Sequence, residues 1–328
     1  MSETLNILMQ SSDFYCTFAG VALESLFENN TDIENITVYL ISDNISDVNL
    51  KKINSISQEF NRKIVIIDGN EISLMLNELG CPQYHGSFAP YYKMFALNYI
   101  SVDTGMLLYI DSDIIVNGSF KELIDFDMQG NPLAMVIDAT GEVYKSFVGF
   151  GLGAYYNTGA ILIDPVKWRD EGVSEKILYH ITNVRSQYPI VDQDIINVVM
   201  KDHITCLPLK YNFNTDILLY KNEDTIKKFY GVDIFYSDDE IKKAKTEVVI
   251  YHCFGSITSR PWCKKSKHPV TEKWDFYLAR SPWHGYQKIN DNRNMIFKIM
   301  YVFYKILPEG LFAFLSRIGY NHVQKNRG

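Results

Sequence analysis

Residues 106–116 read M-L-L-Y-I-D-S-D-I-I-V. An apolar run meets two carboxylates, Asp111 and Asp113, and apolar character then resumes. In an extended backbone, side chains two positions apart point to the same side. Both carboxylates can then address one ion or ligand from the end of a buried strand. Oxygen ligands of this kind suit a hard divalent cation such as Mg²⁺ or Mn²⁺, which keeps coordination sites open for water or phosphate oxygens. The end of a strand is also where open α/β sheets bind ligands. The competing reading is a turn in which the two acids cap backbone N–H groups. The pattern alone does not separate the two.

Working outward, short apolar runs alternate with amphipathic ones. Leu5–Gln10 reads as a strand. A helix follows to about Glu28, with Phe18, Val21, Ser25 and Leu26 on one face. Ile36–Ile41 is a second strand and Lys63–Asp68 a third. Between them lies a helix over 47–60, with Leu50, Ile53, Ile56 and Phe60 as its inner stripe and Ser46 as N-cap. Helices are also expected over 71–79 and 88–99, the latter carrying Tyr91-Tyr92-Lys93. This alternation predicts a mostly parallel sheet covered on both faces. No G-x-G-x-x-G follows the first strand and no G-x-x-x-x-G-K-S/T occurs, so a dinucleotide fingerprint and a P-loop are both excluded.

Past the two carboxylates, 132–138 is a strand ending on Asp138, and glycines cluster between Gly141 and Gly153, which suggests a mobile or tightly turned loop. Residues 155–164, Y-Y-N-T-G-A-I-L-I-D, form a strand with a polar entrance. Pro165 then suits a first helical turn. Val191-Asp192-Gln193-Asp194 opens an apolar helix, where acids favour the positive end of the macrodipole. The charged stretch 222–245 reads as peripheral. Glu247–Tyr251 is a β-rich run ending at His252, which by itself reads as a structural histidine sooner than a ligand.

At 328 residues and 47% hydrophobic content, the chain can bury a large core. A net charge of −7 offers no basic footprint for nucleic acid. The five cysteines are odd in number and scattered, which suggests neither a zinc site nor a disulfide framework and fits a reducing cytoplasm. The N-terminal M-S-E-T-L-N carries an acid and no apolar h-region, so no signal peptide is expected. Residues 295–307 and 311–318 are rich in aromatic and aliphatic residues with scattered Lys and Arg. Each piece is too short to span a bilayer. Two readings stand side by side: helices lying in a membrane interface, or a helix pair docked on the protein's own core.

Seven motifs in a fixed order carry a resemblance. They are S-S-D-F-Y at 11–15, Y-Y-K at 91–93, L-Y-I-D-S-D at 108–113, I-D at 137–138, Y-N-T-G at 156–159, D-Q-D at 192–194, and H-x-x-G with a following R-P-W at 252–262. Together, over roughly residues 5–265, they resemble glycosyltransferase family 8. This retaining, metal-dependent family includes bacterial lipopolysaccharide galactosyl- and glucosyltransferases and glycogenin. The resemblance implies an α/β fold of the GT-A nucleotide-diphospho-sugar transferase type, with a mostly parallel central sheet, helices on both faces and a C-terminal helical segment. It implies a catalytic domain over 1–265 and an extension over 266–328 with amphipathic helices near 295–320.

It further implies that Asp111, Asp113 and His252 hold Mn²⁺ (or Mg²⁺) against the diphosphate of UDP-glucose or UDP-galactose. Donor-binding residues would be Ser11, Asp13, Tyr15, Lys93, Ser112, Asp138, Asn157, Thr158, Gly255 and Arg260. Asp192, Gln193 and Asp194 would be the catalytic acids and amide, with Gln193 and Asp194 at the positions of the family's nucleophile candidates. The acceptor would be a glycan or lipid-linked saccharide in bacterial surface polysaccharide synthesis. The enzyme would be cytoplasmic, with its C-terminal segment touching the inner membrane surface.

Three departures stand out. The family's D-D-N-Y base loop is Ser12-Asp13-Phe14-Tyr15 here. Its Y-x-R is Tyr91-Tyr92-Lys93, which keeps the charge and loses the guanidinium fork. The usual Lys three residues after the motif glycine is absent, and Arg260 stands five residues after Gly255. These motivate the alternative of a non-catalytic scaffold subunit. A haloacid-dehalogenase-type phosphatase is disfavoured, because Ile115 occupies the position where that pattern needs Thr or Val.

Overall fold

The computed structural model describes residues 3–102, 105–151, 153–185 and 187–325, the last six of these by backbone alone. Its main sheet has seven strands in the order β3-β2-β1-β4-β7-β6-β8: β1 Thr4–Ser12, β2 Asn35–Asp43, β3 Lys63–Asp68, β4 Leu107–Ile110, β6 Leu133–Ile137, β7 Tyr156–Ile163 and β8 Ile204–Cys206. β1 runs parallel to β2 and β4, β2 to β3, and β6 to β8, while β7 is antiparallel to both β4 and β6. The mostly parallel sheet expected from the alternation is present, with one reversed strand, β7, between β4 and β6.

Alternation along the strands decides which side chain meets which layer. In β4, Leu108 and Ile110 join one buried cluster while Leu107 and Tyr109 join the other. β6 and β7 divide the same way, with Ala134, Val136, Ala160 and Leu162 on one face and Leu133, Met135, Ile161 and Ile163 on the opposite one. Period two is the geometry of any strand, and apolar residues at both parities give a sheet buried on both sides. Helix Cys16–Glu28 is buried at all but its last residue. Ser46 caps helix Asp47–Glu59 as the sequence suggests, its side chain accepting from Asn49 N.

The stretch 106–116 is not one strand. β4 ends at Ile110, and β5 (Ile114–Val116) leaves for a second sheet of three strands, β5-β10-β9, with β9 Phe213–Asn214 and β10 Ile250–His252. Asp111-Ser112-Asp113 is the bend between the two sheets. It is tied down by Asp111 N to Gly159 O (2.9 Å), Ser112 Oγ to Gln10 O (2.6 Å) and Cys253 N to Asp113 O (3.1 Å). β10 lies antiparallel to β5 with His252 opposite Ile114, so the small sheet carries the histidine to the bend.

Several expectations are corrected. Residues 88–99 form a chain of short turns, Ala89–Tyr91, Tyr92–Phe95 and Ala96–Asn98, instead of one helix. The stretch 222–245 is not merely peripheral. It folds into helices Asp224–Tyr230 and Asp238–Thr246, which bury Ile226, Phe229 and Ile241. The C-terminal helices Met295–Ile306 and Glu309–Lys325 form the docked pair that was one of the two readings of this segment. Phe312 and Ala313 are buried, Phe312 against Phe229 and Tyr304. Tyr304 OH donates to Leu219 O (2.8 Å), and the Glu309 carboxylate accepts from Lys221 N and Asn222 N.

Candidate active site

Tyr109 in β4 and Asp111, the first residue past its end, turn to the same side, and the bend then turns Asp113 toward β10. His252 Nε2 lies 3.8 Å from Asp111 Oδ2 and 3.4 Å from Asp113 Oδ1. Ligand atoms of all three residues fall within 4.8 Å of one another. An ion bonded at about 2.1 Å can hold donors up to about 4.2 Å apart, so the histidine sits within reach of an ion shared with either carboxylate. Two carboxylates and one imidazole form a three-ligand set that leaves positions for phosphate oxygens. Gly159 supplies the room. A Cβ there would lie 2.2 Å from His252 Cε1 and 2.4 Å from its Nδ1. The donor set and this cradle both fit a divalent cation.

Two cations already neutralise the carboxylates. Lys93, only 6% exposed, places its ammonium 2.6 Å from Asp192 Oδ2, 3.3 Å from Asp111 Oδ1 and 4.2 Å from the centre of the Tyr109 ring. Burial alone would lower its pKa, but Asp111 and Asp192 outweigh that and hold it well above the usual lysine value. Tyr109 OH donates to Asp111 Oδ1 at 2.6 Å. Arg260 Nη1 pairs with the Asp113 carboxylate. Burial pushes Asp113 up, yet its polar and charged neighbours, the Arg260 guanidinium among them, overcome it and hold the carboxyl well below its ordinary range. The loop after Gly255 therefore does bring Arg260 to the bend. A Cβ on Gly255 would lie 2.5 Å from Arg260 Cγ, so the glycine lets that side chain fold back over the backbone.

On the far side of His252 lies a hydrogen-bonded set. Asp138 Oδ2 accepts from Asn157 Nδ2 (3.0 Å) and Gln193 Nε2 (2.9 Å), and Gln193 Oε1 accepts from Asn157 Nδ2 (3.0 Å) and Thr158 N (3.3 Å). Thr158 Oγ1 donates to Asp192 Oδ2 (2.9 Å). Burial raises Asp138 above the ordinary aspartate value despite these donors, whereas at Asp192 the Lys93 ammonium and Thr158 overcome burial and lower it. The strand register explains why 157–159 converge here. Pairing of β6 with β7 jumps from Met135↔Ile161 to Val136↔Asn157, so β7 carries extra length at this point.

A cleft of about 260 Å³ runs from the bend along the ends of β1 and β2, lined by Ser11, Ser12, Tyr15, Asp43, Ser112 and both bend aspartates among others. Tyr15 is half-exposed and offers a ring face. Two residues expected in the site stand elsewhere. Asp13 Oδ1 accepts from Ser46 N and Asn49 Nδ2, both at 2.8 Å, so it pins the start of the next helix. Asp194 is fully buried, and its carboxylate accepts from Tyr144 OH, Tyr155 OH and Ile190 N. Successive residues on a helix diverge by about 100°, which turns Asp194 inward while Asp192 meets Lys93.

Sequence reading missed Tyr109, Gly159, Asn212 and Asp43. Tyr109 and Gly159 lay inside quoted motifs, and their parity with Asp111 and Asn157 was the available signal. Asp43 ends β2 beside Ser12, at the ligand-binding end of parallel strands. Nothing local marked Asn212.

The model of the family described as Glycosyl transferase family 8 matches residues 6–266. A lipopolysaccharide 1,2-glucosyltransferase of Escherichia coli K12 is 29% identical over 287 residues, covering 86% of this chain and 80% of that one. Among solved structures, the galactosyltransferase LgtC in complex with donor and acceptor sugar analogues superposes with TM-score 0.65 at 22% identity, over 85% of this chain and 99% of that one. The bifunctional glycosyltransferase WbbM gives TM-score 0.69 at 19% identity, over 87% of this chain and 51% of that one. These likenesses establish the GT-A type of fold.

Proposed function

Because the chain belongs to glycosyl transferase family 8 and is a hexosyltransferase, we propose that it moves glucose or galactose from a UDP-sugar to a glycan or lipid-linked saccharide, with retention of configuration. The observation that carries this reading is the convergence of Asp111, Asp113 and His252 beside a cleft at the ends of β1 and β2. Asp111, Asp113 and His252 would hold Mn²⁺ or Mg²⁺, which supplies Lewis-acid neutralisation of the leaving diphosphate. Residues 1–265 would form the catalytic domain and 266–328 its extension.

The chain's own residues do the remaining work. Arg260 keeps a fixed positive charge beside the bend, where negative charge develops on the leaving group. The cleft takes the nucleotide, with Tyr15 offering a ring to the base, Ser11 lining its wall and Ser112 tying the bend to the end of β1. Asp138, Asn157 and Gln193 present oxygen and amide groups to sugar hydroxyls. Asp192, kept ionised by Lys93 and Thr158, is a carboxylate suited to an oxocarbenium-like sugar. Asp194 has no exposed surface and its oxygens are taken. Gln193 is an amide engaged at both ends. That arrangement favours attack from the leaving-group face over a covalent intermediate on either residue.

The extension supports placement at a cytoplasmic membrane face. Met295, Ile296, Val302, Ile306, Phe314 and Ile318 are each more than half exposed. From Arg293 to Arg327 there are six Lys and Arg against one acid in a chain of net charge −7. An apolar face with a basic surround fits an anionic lipid surface. No helix among the described residues is long and apolar enough to cross a membrane.

The test is titration with UDP, UDP-glucose and UDP-galactose, each with Mn²⁺ and with EDTA. Metal-dependent binding that favours one sugar is expected. Asp111→Asn and His252→Ala are expected to lose metal-dependent turnover at least 100-fold while remaining folded. Full activity in either variant would overturn the site. A folded wild-type protein that binds no UDP-sugar would shift the reading to a scaffold subunit, which the altered base loop otherwise favours.

A further inference from the structure

Asn212 lies in no motif and touches neither carboxylate of the bend, yet its place in the hydrogen-bond pattern fixes which nitrogen of His252 carries the proton. Gly159 N–H can only donate, and it lies 2.8 Å from Asn157 Oδ1. The other end of that amide, Nδ2, faces the Asp138 carboxylate at 3.0 Å, so both ends of Asn157 agree on its orientation. Asn212 reaches the same Asn157 Oδ1 at 2.7 Å. An oxygen there needs a donor, so the Asn212 atom is Nδ2. The opposite atom of Asn212, Oδ1, then faces His252 Nδ1 at 2.9 Å. An amide oxygen only accepts. Nδ1 must therefore carry a hydrogen, and in the neutral ring Nε2 is left with its lone pair, aimed at Asp111 and Asp113.

We infer that Asn212 is a positioning residue of the metal site: through the string Asp138–Asn157–Asn212 it keeps a hydrogen on Nδ1 of His252, so that Nε2 is the nitrogen presented to the ion. This rests on the reading of Asp111, Asp113 and His252 as metal ligands. Burial favours the arrangement. Asn212 is 3% exposed, His252 7% and Asn157 8%, so little water competes for these bonds. The backbone fixes the distance as well. Asn212 ends the turn Leu209–Asn212, and the next two residues form β9, which pairs with β10 and sets Asn214 beside His252. Gly159 is used twice, donating the N–H that sets the polarity and leaving the space the imidazole fills. Outer partners of this kind raise the basicity of a ligating histidine and fix its ring.

Two measurements test it. The first is on the wild-type protein with ¹⁵N-labelled histidine, metal-free at pH 8, with the His252 signals identified by their loss in His252→Gln. A protonated Nδ1 is expected, and an unprotonated Nδ1 with the proton on Nε2 overturns the inference. The second is Mn²⁺ affinity, read from the signal of free Mn²⁺ by electron paramagnetic resonance. Asn212→Leu, which removes the acceptor, is expected to weaken binding about 10- to 100-fold. Asn212→Asp, which keeps an acceptor for Nδ1 and loses the donor to Asn157, is expected to stay within about threefold of wild type. Equal affinity in the Leu variant, or equal loss in both, overturns the inference. If the Leu variant fails to fold, the tautomer measurement still decides. Absence of Mn²⁺ binding by the wild type would instead count against the proposed function, and the tautomer result would stand apart from it.

Discussion

His252 shows how little a residue declares by itself. After an apolar run it reads as an ordinary buried histidine, and only the register of β10 against β5 sets it beside Asp113. The two aspartates were legible because their spacing is local. Their exact presentation was not, since the bend between two sheets replaces the extended strand that the spacing suggests. Gly159 yields a prediction at this scale. Its Cβ would enter the space of the His252 ring, and small-to-large changes in tight sites cost roughly 1–3 kcal/mol. Gly159→Ala is expected to bind Mn²⁺ more than tenfold more weakly, with a modest fall in Tm. Calorimetric titration with Mn²⁺ and thermal melting on one preparation check both, and unchanged affinity would show that the ring does not need that space. Lys93 illustrates a substitution that local reading flagged correctly and weighed incompletely. The lost guanidinium fork is offset by a buried ammonium shared among Asp111, Asp192 and the Thr158 carbonyl.

Among the elements, the helix Cys16–Glu28 is the most constrained, and it carries an odd cost. Glu24 is fully buried and neither carboxylate oxygen has a hydrogen-bond partner. Burial first, and then the charge of Glu59, push its pKa from 4.5 to about 7. The folded state therefore holds this proton more tightly than the unfolded chain. Its contribution to stability is fully present below about pH 4.5 and is lost as pH climbs through about 7. A shift of this size bounds the loss at about 3 kcal/mol above that window. Glu24→Gln is expected to be more stable than wild type by roughly 1–3 kcal/mol at pH 8 and nearly equal at pH 5. Urea unfolding at the two pH values measures this, and a pH-independent difference would show that Glu24 is ionised in the fold. Helix and strand periods were readable for elements of this kind because one face of each repeats locally. The turns over 89–98 were misjudged as one helix because aromatic residues at close spacing imitate a helical stripe.

Over the whole molecule, the C-terminal helix pair is docked on the core, which is one of the two readings that its composition allowed, and the membrane reading remains a proposal. Phe312 and Ala313 lock it to helix Asp224–Tyr230, while most of its apolar side chains remain exposed. Arg293, at its entrance, donates to Ser256 O (3.2 Å) and Ile257 O (2.5 Å) in the loop that carries Gly255 and Arg260. The pair is thus fastened to the edge of the site as well as to the core. Sedimentation with vesicles is expected to show binding to phosphatidylglycerol that falls with salt, little binding to phosphatidylcholine, and loss of binding in an Ile306→Glu/Phe314→Glu variant that still binds UDP-sugar. Equal binding to both lipids would remove the electrostatic half of the argument, and no binding to either would remove the membrane placement.

The sequence by itself determined the class of fold and the chemistry on offer. Periods of 3.6 and 2 set helices and strands, strands alternating with amphipathic helices called for a sheet covered on both faces, and the paired acids together with the ordered motifs called for a cation. Those features depend on neighbours a few residues away. What only the tertiary structure decided is which distant groups share the site. His252, Asn212 and Arg260 lie 139–141, 99–101 and 147–149 positions from the aspartates, and no local pattern encodes the β5–β10 register that unites them. The same holds for exclusions. Asp194 stands in the right motif, yet the helix turn and two tyrosines far along the chain draw it into the interior. A side chain's type is local information, while its direction and partners are set by how the sheets cross.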